Sequence, residues 1–457
     1  MNKKLLLAGI AGILSLATAC KKDDPTPSPN PPSTLTIDGV ASTLEFYQLD
    51  TAHLSVAGVA KDAAAKAVWA VNGAKATEGA TFDFTTAHPG KYEITLTVDG
   101  KSAKQTYTVA PRFSEGAFLL NEGNFGNETG SLTYIHPSKK LVIDQAYYRV
   151  NGTKLGNVCQ DLAFGNDQIY ILSQLGPKNG GEGLLTIARS NSLEKVKVYN
   201  DEALAQSTPT HIAVLLDHIY IRTERDGILR GSSEGGFTPI TGTKKALKQR
   251  MAQIGERLFA LTSDSKVLMI QGTQVVRELD LSPAKPSGIA VSHDGKLWVS
   301  TTSPNAILKV DPTPDNFVAL DTHILDKSIS ATGPESWQRT TSSAFFAHGD
   351  KLYFTGQSSV IYCHDFATSK TSQVIDVKTI DGVGTSANMY YNSLGVDPST
   401  GELYYAAFEG YSTYNKKNVT MVLKADGTKL LLKEKVNSFP AGFYFIPNAA
   451  SRTGANR

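Results

Sequence analysis

Amide and aromatic side chains occur in short clusters along this chain. Residues 388–392 read Asn-Met-Tyr-Tyr-Asn, and residues 121–125 read Asn-Glu-Gly-Asn-Phe. Amides donate and accept hydrogen bonds, and flat rings stack on apolar faces. Together they suit a large, polar, nearly neutral ligand. Two adjacent tyrosines flanked by asparagines fit poorly in a core, so residues 388–392 are the strongest candidates for ligand contact.

The other candidates share one kind of position, because they fall in loops that follow or precede predicted strands. The predicted ligand-binding residues are Glu122, Asn124, Phe125, Asp161, Gln174, His211, Arg225, Arg250, Trp337, Arg339, Gln357, Asn388, Tyr390, Tyr391, Asn392 and Tyr411. For any single aromatic residue in this set, packing between strands is the alternative role. For Asp161, His211 and Arg250, the alternative is a structural polar network.

These loops are positioned by a repeated strand. An apolar segment, usually with an aromatic residue in its middle, begins near residues 117, 169, 219, 258, 297, 352 and 403. A second strand precedes most copies by about eight residues, with a Gly- and Asp-rich turn between the two that is typical of hairpins. Repeats of roughly 40 to 50 residues with several short strands each indicate a β-propeller.

The two ends of the repeat region complete each other. The copy near residue 117 lacks its preceding strand, and an unpaired strand, Gly-Phe-Tyr-Phe-Ile, occurs at residues 442–446. Pairing the two would close a ring and remove exposed sheet edges. The sequence therefore predicts an all-β fold whose main domain, residues 112–447, is a seven-bladed β-propeller.

A propeller hydrolase of the lactonase type is the alternative in the enzyme class. It would need oxygen ligands converging on a cation in the channel. The predicted innermost positions are instead Asp161, His211, Arg250, Gly288, Ser343, Ser393 and Gly442, which do not form an oxygen-rich set. We therefore expect a binding protein without a metal or cofactor, and not an enzyme.

The N-terminus has the form of a lipoprotein signal. Lys3 and Lys4 precede an apolar stretch too short to span a membrane, and residues 17–20 read Ala-Thr-Ala-Cys. This resembles a bacterial lipobox, although its usual leucine lies one place early, at Leu16. We expect a signal peptide over residues 1–19, a lipid anchor on Cys20 and a proline-rich linker to residue 34. An ordinary cleavable signal is the alternative.

Residues 35–110 contain short alternating strands. The segments Trp-Ala-Val-Asn-Gly from residue 69 and Pro-Gly-Lys-Tyr-Glu-Ile-Thr-Leu from residue 89 resemble the PKD branch of immunoglobulin-like sandwiches. The expected role of this domain is that of a spacer. Residues 448–457 are expected to form a tail.

The charge balance excludes some partners. The net charge is only +2 over 457 residues, 19% of which are charged. A positive charge this small does not indicate a nucleic-acid-binding protein. Cys159 and Cys363 fall in different predicted blades, so we expect two buried free thiols.

The stretch Asn-Glu-Gly-Asn-Phe-Gly at residues 121–126 resembles the YncE-like surface propeller lipoproteins of Gram-negative bacteria, which include the BtuG-type cobalamin-capturing proteins. The residues Lys21-Lys22-Asp23-Asp24 resemble a surface-export signal of such lipoproteins. The resemblance implies a cell-surface protein of the outer membrane that captures a corrinoid and passes it to a TonB-dependent transporter. A glycan- or protein-binding adhesin is the alternative.

Overall fold

The computed structural model describes residues 34–41, 44–329, 344–356, 358–388 and 394–447. Several predicted functional residues lie outside the described residues: Cys20, Trp337, Arg339, Gln357, Tyr390, Tyr391 and Asn392. In the described part of the chain, no helix has the length and apolar character needed to cross a membrane.

The N-terminal strands form two sheets. In chain order the elements are β1 (Thr36–Gly39), β2 (Phe46–Tyr47), β3 (Thr51–Ala57), α1 (Lys61–Ala64), β4 (Val68–Val71), β5 (Ala74–Glu78), β6 (Thr81–Thr85), β7 (Gly90–Val98) and β8 (Lys101–Ala110). One sheet has the order β1-β3-β6, and the other has the order β2-β8-β7-β4-β5. Trp69 on β4 is fully buried and packs on Phe82 of β6, with 5.6 Å between ring centroids. The two sheets therefore face each other, and the likeness to a PKD domain stays a prediction.

The C-terminal elements form repeated sheets. They are β9 (Ala117–Asn121), β10 (Ser131–His136), β11 (Leu141–Ile143), α2 (Ala146–Asn151), β12 (Asn157–Gly165), β13 (Gln168–Gly176), β14 (Leu185–Arg189), β15 (Lys195–Tyr199), α3 (Glu202–Ser207), β16 (Pro209–Leu215), β17 (His218–Thr223), β18 (Gly227–Ser232), β19 (Gly235–Pro239), β20 (Ala252–Ile254), β21 (Arg257–Leu261), β22 (Lys266–Gln271), β23 (Gln274–Asp280), β24 (Lys285–Val291), β25 (Leu297–Thr302), β26 (Ala306–Val310), β27 (Ala319–Ile324), β28 (Phe345–His348), β29 (Lys351–Phe354), β30 (Val360–Asp365), β31 (Lys370–Asp376), β32 (Leu394–Val396), β33 (Leu403–Phe408), β34 (Asn418–Leu423), β35 (Lys429–Glu434) and β36 (Pro440–Phe445).

These strands make seven four-stranded antiparallel sheets, which we call blades 1 to 7. Blades 2 to 7 take four consecutive strands each, from β12 to β35, with the first strand of each innermost. Blade 1 has the order β11-β10-β9-β36, so the last strand of the chain is its innermost strand. β36 also contacts the innermost strands of blades 2 and 7, β12 and β32, which closes the ring. The predicted all-β propeller fold is confirmed.

The core consists of apolar layers between neighbouring blades. Between blades 2 and 3, Leu172 and Ile187 cluster with Ile212 and Ile221. A corresponding layer joins blade 7 to blade 1, and it includes Tyr404, Val422 and Phe443 among others. Both faces of the second strand of each blade are covered, since Leu258 and Phe259 of β21 belong to the layers on opposite sides of blade 4. These second strands therefore read as continuous apolar runs and not as alternating ones.

The two described cysteines agree with the prediction of free thiols. Cys159 lies in blade 2 and Cys363 in blade 6, and both are buried and unpaired with each other. Burial raises the pKa of the Cys363 thiol to about 11, so at neutral pH it is protonated and unreactive.

Candidate functional site

The propeller has two faces with different connections. The loop face carries the connections from the second to the third strand of each blade and from the outermost strand to the next blade. The turn face carries the hairpin turns between the innermost and second strands. Loops on a rigid scaffold are where propellers can present binding groups. The predicted site residues belong to the loop face.

An aromatic cluster lies on the loop face where blade 7 meets blade 1. It consists of Phe408, Tyr411, Tyr414 and Phe439, and we call it the aromatic seam. Phe439 is central: its ring centroid lies 5.0 Å from that of Phe408, 5.7 Å from Tyr411 and 4.6 Å from Tyr414. Tyr411 remains 42% exposed. The seam thus presents an aromatic surface to solvent on a buried aromatic support.

Glu409 fixes the loop that carries Tyr411. Its carboxylate accepts hydrogen bonds from Lys417 Nζ at 2.8 Å, Thr413 Oγ1 at 3.0 Å and Thr385 Oγ1 at 2.8 Å. These donors lower the pKa of Glu409 to about 2. The predicted residue Asn388 joins the same loop, because its amide nitrogen lies 3.5 Å from the Glu409 carbonyl oxygen.

Residues 122–130 form the neighbouring loop of blade 1. Glu122 is buried, and its carboxylate accepts a 2.8 Å hydrogen bond from Gln160 Nε2. Gly123 adopts a φ of 75°, and a Cβ there would lie 2.2 Å from the Thr129 carbonyl oxygen, so glycine is required for the loop to fold back. The backbone of this loop contacts the aromatic seam, since Glu122 N donates a hydrogen bond to the Phe439 carbonyl oxygen at 2.9 Å.

The same loop holds Phe125 outward. The ring is 65% exposed, and Lys178 Nζ of blade 2 lies 3.5 Å from its centroid, a cation–π contact. Asn179 Nδ2 donates to the Phe125 carbonyl oxygen at 3.2 Å. In the same loop, the side chain of the half-buried Asn124 accepts a hydrogen bond from Gly126 N at 2.8 Å. The loop is therefore braced by blade 2 and leaves one aromatic face accessible.

Asp161 and Arg250 form a polar network with Tyr444 of the innermost strand of blade 1, and their role in ligand binding stays a prediction. Asp161 is 2% exposed, and its carboxylate lies 3.5 Å from Arg250 Nε and accepts a 2.6 Å hydrogen bond from the Tyr444 hydroxyl. Arg250 also lies over the Tyr444 ring at 4.4 Å. A Cβ at Gly442 would lie 1.8 Å from the guanidinium, so only glycine leaves room for it.

The remaining described candidates are more scattered. His211 is fully buried on β16 beside Thr210. Gln174 is half-buried on β13, and Arg225 is exposed after β17, where its backbone N–H donates to the Ser207 carbonyl oxygen. The structure therefore brings five of the predicted residues to the loop face where blades 7 and 1 meet: Glu122, Asn124, Phe125, Asn388 and Tyr411. Gln174, His211 and Arg225 lie apart from them, in blades 2 and 3.

Phe408, Tyr414, Phe439 and Lys178 contribute to the site but are not among the residues predicted from the sequence. Tyr414 stacks in the seam, and Lys178 reaches Phe125 from the next blade. Tyr414 lies three residues after Tyr411 in the same loop, so its aromatic type was an available signal. No sequence pattern indicates the Lys178 contact, because it depends on how two blades are placed side by side.

The fold and the loop face define a β-propeller suited to binding a ligand or a protein. Residues 115–447 match the family described as a domain of unknown function, DUF5074, and the chain belongs to that family. No curated protein matches the chain.

Among solved structures, a quinoprotein alcohol dehydrogenase-like protein from Bacteroides thetaiotaomicron is similar, with a TM-score of 0.57 and 16% identity over 92% of this chain and 98% of that one. At that identity the likeness shows a shared fold. A protein from Lactobacillus plantarum has a TM-score of 0.47 and 13% identity over 72% and 99% of the two chains. For BamB from Moraxella catarrhalis these values are 0.36, 11%, 60% and 76%.

Proposed function

We propose that this protein is a cell-surface lipoprotein that binds a corrinoid on its loop face and passes it to a TonB-dependent outer-membrane transporter. The observation that carries the proposal is the pair of exposed rings, Phe125 and Tyr411, contributed by the two blades that close the ring. Amides flank them at Asn124 and Asn388. The resemblance of residues 121–126 to the cobalamin-capturing lipoproteins supports the choice of ligand.

The chemistry of the ligand fits these side chains. A corrinoid is large, nearly neutral, fringed by amide groups and bounded by flat apolar surfaces. Rings can stack on those surfaces, while amides can pair with the fringe. Since neither component requires charge, binding should depend little on salt concentration. Titration calorimetry of the purified protein with cyanocobalamin tests this, and an absence of heat at tens of micromolar protein would contradict the corrinoid assignment.

Replacing the exposed rings is expected to weaken cyanocobalamin binding. Aromatic anchors in binding sites cost about 2 kcal/mol or more on truncation, which is roughly 30-fold in affinity. We expect that loss for Phe125→Ala and for Tyr411→Ala, and a smaller one for Tyr411→Phe, which keeps the ring. Ile324→Ala is the control, because Ile324 is 66% exposed on the outermost strand of blade 5. If all four variants bind cyanocobalamin as tightly as the unaltered protein does, neither Phe125 nor the aromatic seam belongs to the proposed site.

The proposed location rests on the N-terminal sequence. Cys20→Ala should move the protein from the membrane pellet to the soluble fraction, because the residue that would carry the lipid is lost. Asp23→Ala combined with Asp24→Ala should leave it anchored but protected from protease added to whole cells. If the double variant is digested as fast as the unaltered protein, residues 23 and 24 do not direct export to the surface.

A further inference from the structure

The turn face repeats one chemical feature in every blade. Where the innermost strand gives way to the second strand, each blade carries an acidic residue: Glu115, Asp167, Asp217, Glu256, Asp294, Asp350 and Asp397. In blades 5 and 6 one lysine balances two of these carboxylates. Lys296 Nζ lies 2.7 Å from Asp294 and 2.9 Å from Asp350. The charge of the turn face is therefore concentrated on the side formed by the other blades.

A cavity of about 1630 Å³ opens on that acidic side. Its apolar lining includes Phe164 and Val214 from the innermost strands of blades 2 and 3, and Phe445 from that of blade 1. At its edge Leu216 is 55% exposed. Exposed apolar side chains next to such a depression mark a binding surface more often than an isolated exposed leucine does.

The charges around the cavity are predominantly negative. Carboxylates from five blades line it, namely Glu115, Asp167, Asp217, Glu256, Asp397 and Glu402. The basic side chains in its lining are Lys140, His136 and His293. Burial, together with the neighbouring carboxylate of Asp397, raises the pKa of Glu402. A cation placed among these groups would relieve their mutual repulsion.

We propose that this turn-face cavity binds a basic segment of a partner protein, with apolar side chains on the floor and lysine or arginine side chains at the rim. The volume exceeds the roughly 300 to 1,000 Å³ typical of small-molecule sites. The carboxylates are spread over five blades, so a ligand with several separated positive charges matches them better than a compact cation does. This site lies at the opposite ends of the strands from the aromatic seam and is independent of the corrinoid proposal.

Three short fluorescent peptides separate the apolar contribution to binding from the charged one. Their binding to the purified full chain is measured by fluorescence anisotropy. One alternates lysine with leucine, one glutamate with leucine, and one lysine with serine. The lysine–leucine peptide should bind, and more weakly as salt rises. The other two should bind at least about tenfold more weakly. Failure of the lysine–leucine peptide at about 100 μM, or equal binding by all three, would overturn the proposal.

Matched variants locate the binding on the chain. Asp217→Asn with Glu256→Gln should weaken the lysine–leucine peptide about tenfold, and Leu216→Ser should weaken it several-fold. Their controls are Asp315→Asn with Asp381→Asn, which makes the same charge change elsewhere, and Leu320→Ser, whose leucine is 54% exposed on β27. Equal losses in variants and controls would also overturn the proposal. All of these proteins should keep the affinity of the unaltered chain for cyanocobalamin.

Discussion

Ending the chain after Ser438 is expected to prevent the propeller from folding. This truncation removes β36, whose register with β9 pairs Phe443 with Leu119 and Phe445 with Ala117. Phe443 and Tyr444 are 2% and 8% exposed, and Phe443 packs on Tyr404 of blade 7. Burying each such side chain contributes about 1.5 to 3 kcal/mol, against a total stability of roughly 5 to 15 kcal/mol.

The loss is larger than that of the buried area alone. Without β36, the inner edge of blade 1 is left unpaired, and blades 2 and 7 lose the strand that both of them contact. Thermal unfolding followed by circular dichroism should show no cooperative transition for the truncated chain. Removing residues 451–457 is the control and should leave the melting temperature unchanged. A truncated protein that melts like the full chain would contradict closure of the ring by β36.

The propeller could be predicted because the second strand of each blade is covered on both faces. Each therefore appears as an uninterrupted apolar run, and the runs recur at blade spacing. Strands whose side chains are mostly exposed are harder to predict from the sequence. In the N-terminal region, the sequence of β5 (Ala74–Glu78) carries no strand pattern, because its side chains are largely exposed and do not alternate between apolar and polar. Pairing with β4 specifies that strand, and a partner strand is not visible in a local sequence.

The sequence predicted which individual loops contribute to the site, but it did not predict which of those loops lie next to each other. The loops around Glu122 and Tyr411 were identified because amide and aromatic residues cluster within each of them. Which loops meet depends on ring closure, which brings Phe439 from the end of the chain against the first blade. The same closure supplies the partner of Asp161 and Arg250, because Tyr444 comes from β36, far away in sequence.

Replacing Asp161 by alanine is the point substitution expected to destabilise the propeller most. Its carboxylate accepts hydrogen bonds from the Tyr444 hydroxyl and from Ile212 N at 2.9 Å, and it faces Arg250, whose side chain is 23% exposed. Removing one partner of a buried ion pair leaves the other charge uncompensated, which costs about 3 to 5 kcal/mol. Asp264→Ala is the control, because Asp264 pairs with Lys245 at the surface and should cost less than about 1 kcal/mol.

The reciprocal variant, Arg250→Met, adds a pH dependence whose sign follows from burial. Burial raises the pKa of Asp161, and Arg250 is the main group opposing that rise. Without Arg250 the pKa should rise further above its value in the unfolded chain, so the unfolded state loses this proton at lower pH than the native state does. The free energy of unfolding of Arg250→Met should therefore fall relative to the unaltered protein as pH rises from about 4 to 7. In Asp161→Ala that additional pH dependence should be absent, since the titrating carboxyl is gone.

Urea denaturation of both variants at pH 4 and pH 7 measures the difference in their free energies of unfolding. If the two variants show the same pH dependence, Asp161 does not take up a proton when Arg250 is removed.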